Sequence, residues 1–209
     1  MTRKLRVPLS CYFALIVLAA ACATTQVTSI VDPEFRGRSY GTLMVFVDFQ
    51  DLALRQVAEG RFQANLTALG TETVRSIDLI FPGREYSLEQ AQQIISDSGI
   101  EAVLVAASSD AGTTTAWIPA LTTTRSAAAV TSDGAAATAA STTSGGYYLN
   151  RPWASFEAAL HDMTTGEVVW LASMASRGNA FADWEDLTRS MVRETWIRLA
   201  DDGVINLER

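Results

Sequence analysis

The sequence predicts an α/β fold, a mixed sheet with helices ordered βαβαβ, then a flexible insertion, a long antiparallel hairpin and a C-terminal helix. Three observations carry this expectation. Residues 42–107 alternate apolar strand patterns with amphipathic helix patterns. A run rich in small residues then interrupts the chain, and two strand patterns around "TTG" follow it, trailed by one more amphipathic stretch.

"TLMVFVDF", residues 42–49, is nearly continuous in apolar character, which suits a strand covered on both faces. A helix from about Asp51 to Leu69 follows, with Leu54, Val57, Ala58, Phe62, Leu66 and Leu69 on one face and Gly70 as its stop. A short strand is expected near Glu72 to Ile77. In "SLEQ", Ser87 and Gln90 form a capping box for the next helix, whose stripe is Leu88, Ala91, Ile94 and Ile95 and whose end is Gly99. "EAVLVAA", residues 101–107, is another buried strand.

The composition changes at Ser108. Of the 44 residues from Ala107 to Asn150, 32 are Ala, Ser, Thr or Gly, too little large apolar surface to offset the entropy of ordering. Residues 108–150 therefore read as a mobile loop or extended arm. Trp117, Ile118, Tyr147 and Tyr148 are the exceptions, and they are candidate partner contacts. Strands from about Trp153 to Met163 and Glu167 to Ser176 flank a turn in which Gly166 can supply positive φ. Asp183 caps a final helix carrying Leu187, Met191, Thr195 and Leu199, with Val192 and Trp196 beside them, and Gly203 stops it.

The first residues carry an address. Arg3, Lys4 and Arg6 precede an apolar stretch of roughly 15 residues, from Val7 to Ala21, too short for a helix across a ~30 Å hydrocarbon core. Ala19, Ala20 and Ala21 before Cys22 resemble the lipobox of bacterial lipoproteins, with Leu18 one place ahead of the favoured leucine position. That resemblance implies cleavage between Ala21 and Cys22 and acylation of the Cys22 thiol, with two acyl chains plus an amide-linked third holding the chain to a bilayer. Ala23, where aspartate favours inner-membrane retention in many Gram-negative species, implies the periplasmic face of the cell outer membrane. The expected organisation is a signal peptide at 1–21, a tether at 22–40, the first part of the domain at 41–107, the arm at 108–150 and the rest of the domain at 151–209.

Removal of residues 1–21 takes the sole lysine, Lys4, and also Cys11. The remainder has 13 arginines against 23 acidic residues, a net charge of −10. Without lysine there is no Schiff base and no P-loop lysine. One histidine and no free thiol exclude a Cys/His zinc site or a Cys–His dyad, no intramolecular disulfide is possible, and no G-x-S-x-G elbow occurs. An acidic chain is repelled by nucleic-acid phosphate. No enzyme activity, catalytic residue, metal or cofactor is expected.

Four residue groups invite sharper readings. His161 and Asp162 are adjacent on a strand and point to opposite faces, so a surface or sheet-packing role is expected over acid–base catalysis. Asp183, Glu185 and Asp186 fit helix capping better than a cation site. Trp170, Trp184 and Trp196 are expected in the core, and Arg55 with Glu59 as a solvated pair one helical turn apart.

"TLMVFVDF", Glu59 in the first helix, "GIEAVLVAA", the small-residue insertion and "LHDMTTGEVVW" together resemble a family of uncharacterised bacterial periplasmic and outer-membrane lipoproteins. Leu160, Asp162, Gly166, Glu167, Val169 and Trp170 match that family's typical hairpin, while His161 stands where it has an aromatic residue. More distantly, the layout is similar to the anticodon-binding-like α/β domain of the Tol-system translocation protein, the curli-secretion lipoprotein and lipoprotein activators of peptidoglycan synthases. These resemblances imply either a non-catalytic envelope protein that binds or scaffolds an unknown protein partner, or an oligomeric pore-forming export lipoprotein in which residues 107–150 of several subunits build a membrane barrel. "TAWIPALTTT" alternates poorly and contains Pro119, which favours the binding module.

Overall fold

The computed structural model describes residues 23–131 and 134–205. The expected signal peptide, Ala21 and Cys22 lie outside the described residues. Eight strands are present among the described residues: β1 (Ala23–Val31), β2 (Thr42–Asp48), β3 (Glu72–Arg75), β4 (Ala102–Ile118), β5 (Leu121–Thr131), β6 (Gly134–Ser144), β7 (Tyr147–Asp162) and β8 (Val168–Gly178). The helices are α1 (Leu52–Ala68), α2 (Ser76–Leu79), α3 (Leu88–Asp97) and α4 (Trp184–Asp201). Six strands form one sheet in the order β1-β8-β7-β4-β2-β3, and β5 pairs with β6 in a second.

The α/β expectation holds. β2 pairs in parallel with both β3 and β4, whereas β8 pairs antiparallel with β7 and β1, which makes the sheet mixed. Local signals explain the boundaries. Asp51 caps α1 by accepting from the amides of Ala53 and Leu54, and reciprocal capping boxes start α3 at Ser87 and α4 at Asp183. Gly166 adopts φ +77° in the β7–β8 turn, where a Cβ would be strained.

Residues 23–31, expected within a tether, are instead the edge strand β1, in register with β8 from Ala23 opposite Gly178 to Val31 opposite Trp170. Its alternation is real but weakly apolar. Ala23, Val27 and Val31 pack on the core, while Thr25 and Ser29 on the same face are held by hydrogen bonds to Ser190 and Asp202.

The chain forms two compact units. One comprises the described residues up to Thr113 and from Arg151 onward, and the other is Thr114–Asn150. Of the loop or extended arm expected there, the second unit takes extended structure, being mostly strand, with β5 and β6 in an antiparallel ladder from Leu121 opposite Ser144 to Thr131 opposite Gly134. Backbone pairing satisfies the ladder without a large core, and threonine favours the extended backbone.

In the larger unit α1 and α4 cover one face of the sheet. Leu43, Val45, Val47, Leu104, Phe156, Leu160, Trp170 and Met174 meet Phe62, Leu66, Leu187, Met191 and Leu199 there. On the opposite face a smaller cluster of Met44, Ile95, Ile100 and Val103 seats α3 over β2 and β4.

Candidate functional surface

The buried charged groups tie elements together. Glu59 is fully buried, contrary to the solvated pair expected: its carboxylate accepts from Val47 N (3.2 Å), Arg55 Nε (3.0 Å), Ser76 Oγ (2.7 Å) and Ile77 N (3.1 Å). A buried carboxylate needs such a set of donors, and here they come from β2, α1 and α2. Arg55 also stacks over Phe46, 4.7 Å from the ring centroid, and donates to Ser76 Oγ.

Asp162 is likewise buried. Its Oδ2 accepts from Tyr40 Oη (2.8 Å) and forms an ion pair with Arg38 Nη1 (2.9 Å), and its Oδ1 accepts from the amides of Thr164 (2.7 Å) and Thr165 (2.9 Å). Burial opposes ionisation, yet the hydrogen bonds from Thr165, Tyr40 and Thr164 and the Arg38 charge outweigh it, leaving the carboxyl below its ordinary range. Burial and the bond to Asp162 push the Tyr40 phenol above its own. Asp162 therefore holds β7 to the segment before β2. His161, on the other face of β7, is half-buried and takes no part.

Asp183 and Asp186 cap α4 reciprocally, and Glu185 pairs with Arg189. Among the described residues no three His, Cys, Asp or Glu side chains are placed to hold a metal, and no helix is long and apolar enough to cross a membrane.

The remaining features are surfaces. α3 covers the β2–β4 part of its face, and among the described residues no helix covers the outer face of β7, β8 and β1. A shallow trough of about 500 Å³ lies there, lined by Ile30, Val105, Ala107, Ala159 and Leu171, with Glu157 and Thr28 at its sides. Ile30 is 65% exposed and Leu171 50%. Sequence reading missed both. Leu171 sits at a strand position whose exposure depends on what covers the sheet, and Ile30 lay in the presumed tether.

A second depression, about 580 Å³, opens where parallel β2 and β4 leave their paired stretch, beside Asp48, Phe49, Asp51 and Trp184. Of the three tryptophans expected in the core, Trp170 is buried and Trp196 packs half-buried against it, whereas Trp184 at the start of α4 is 41% exposed.

In the smaller unit the candidate contacts are partly brought together. The rings of Trp117 and Tyr148 lie 4.8 Å apart at 55°, a tilted aromatic pair, and Ile118 is half-buried. Tyr147 is exposed, as are Trp117 and Tyr148, so an aromatic surface sits at the base of the β5–β6 ladder.

No family model and no curated protein matches the chain. Among solved structures it is similar to the PelC dodecamer from Paraburkholderia phytofirmans, at 17% identity over 87% of this chain and 99% of that one, with a TM-score of 0.48. It is also similar to lipoprotein GNA1162 from Neisseria meningitidis, at 13% identity over 77% of this chain and 99% of that one, with a TM-score of 0.42. Likeness at this level assigns no activity.

Proposed function

We propose that this chain is a non-catalytic, lipid-anchored envelope protein, acylated at Cys22 and held at the periplasmic face of the outer membrane, whose α/β unit binds or scaffolds another envelope protein. The open outer sheet face carries this reading. Ile30 and Leu171, paired across β1 and β8, expose apolar surface on the sheet, and small Ala159 beside Leu171 on β7 and Ala107 beyond it on β4 give a partner side chain room to seat. The parallel β2–β4 pair with its helices supports the distant kinship with the anticodon-binding-like domain as part of the same proposal. The test is crosslinking in cells with Ile30→Arg and Leu171→Arg. A specific adduct lost in both variants, with membrane anchoring and fold retained, supports the reading; an adduct indifferent to both removes the trough from it.

One observation favours the second reading, a pore-forming export subunit. β5 and β6 are each 11 residues long, the length of a tilted membrane strand, and Trp117, Tyr147 and Tyr148 lie next to them in sequence. A large detergent-resistant ring that conducts ions in bilayers would select the pore. A small species without conductance selects the binding module.

A further inference from the structure

The edge strand gives the proposed anchor a consequence. β1 is in register with β8 from Ala23 onward, so an acylated Cys22 lies one peptide, about 3.8 Å between Cα atoms, from the sheet. No tether then separates the domain from the bilayer, and whatever surrounds Ala23 faces lipid headgroups.

Arginine is concentrated there. Beside Ala23 is a cleft of about 420 Å³ lined by Arg61 and Asn65 of α1 and by Arg189, Arg193 and Trp196 of α4, with Asp186 the sole acidic group in the lining. Arg61 is exposed and has no ion-pair partner among the described residues. Arg189 pairs with Glu185 and Asp186, and Arg193 with Glu194, yet each guanidinium has five donors and both remain about half exposed, at 43% and 57%. Trp196 is half-buried against the core and lines the same cleft, the placement that suits tryptophan to a boundary apolar on one side and wet on the other.

We propose that the cleft formed by Arg61, Arg189, Arg193 and Trp196 binds the phosphate of bilayer lipid headgroups next to the anchor, seating the α/β unit against the membrane in one fixed orientation. Arginine suits this role because its planar fork matches phosphate oxygens. Seating also fixes which surfaces a partner can reach. This inference rests on acylation of Cys22.

The test uses the lipidated full chain in vesicles of phosphatidylcholine with about a third phosphatidylglycerol and a headgroup-attached quencher. After loss of residues 1–21 and acylation of Cys22 no other cysteine exists, so Ala64→Cys on α1, three residues from Arg61, and Glu89→Cys on α3 each take one fluorophore. Quenching at 64 should exceed quenching at 89. The Arg61→Gln/Arg193→Gln pair should lower the seated-to-free ratio roughly 30-fold, and 1 M salt should act the same way on the unaltered arginines, with flotation unchanged in both cases. A chain that floats but is quenched equally at the two sites, or whose quenching at 64 ignores both charge removal and salt, overturns the headgroup site and leaves acylation standing. A chain that does not float overturns acylation, and this site with it.

Discussion

At the scale of single residues, Asp162 holds the end of β7 by accepting three hydrogen bonds on two oxygens and pairing with Arg38. Asp162→Asn removes the charge and turns one acceptor into a donor facing Tyr40 and Arg38 or the Thr164 and Thr165 amides. It should cost about 2–4 kcal/mol, read by urea unfolding of the Cys22→Ser form. The pH dependence follows from the same contacts. The native carboxyl titrates below its ordinary value of 3.8, so the unfolded chain takes the proton first as pH falls. The stabilisation is complete above the unfolded value and disappears as pH drops through the lower native one. Unfolding curves between pH 6 and pH 3 should therefore lose less stability in Asp162→Asn than in the parent; equal losses would mean that the contacts do not perturb Asp162. Glu59→Gln should cost a similar amount, about 2–4 kcal/mol, since four donors converge on that carboxylate as well.

At the scale of elements, β1 distinguishes this molecule from a domain on a leash. Val27 packs on the core from the middle of that strand. Val27→Asp places an unpaired charge there and should destabilise by about 2–4 kcal/mol, lowering the thermal midpoint by several degrees, whereas in a tether it would do nothing measurable. β1 escaped the sequence because two of its five inward positions, Thr25 and Ser29, are polar, and their partners, Ser176, Ser190, Arg198 and Asp202, lie far along the chain. No window of periodicity contains that information. Glu59 was misread for the same reason: Arg55 is visible one turn away, but Val47, Ser76 and Ile77 come from other elements. Features set by neighbours in sequence were legible, including the Ser87 capping box, the Asp183 cap, the glycine turn at Gly166 and the apolar runs of β2 and β4. The arginine cleft joins α1, α4 and the start of β1, so it exists only once those elements are packed.

At the scale of the whole molecule, the two compact units predict a separable arm. Thr115 Oγ1 donates to Asn150 Oδ1 at 2.9 Å, so the ends of the smaller unit lie within reach of a short link. Replacing residues 114–150 by a short Gly/Ser turn should leave the larger unit folded, with its thermal midpoint within a few degrees, because loop closure depends only weakly on length. Collapse of the remaining unit would show that the arm is part of its core. In the binding-module account the shortened protein keeps any partner held by the outer sheet face, and in the pore account it loses ring assembly and conductance.

Every functional statement about this chain depends on where it is held, which makes Cys22 the residue to measure. Mass analysis of the mature amino-terminal peptide from envelope fractions tests it directly. The expected mature chain begins at Cys22 and carries a diacylglyceryl thioether and an amide-linked acyl group, and in Cys22→Ser it is replaced by unprocessed precursor. A mature terminus at any other residue, or an unmodified Cys22 thiol, would contradict it.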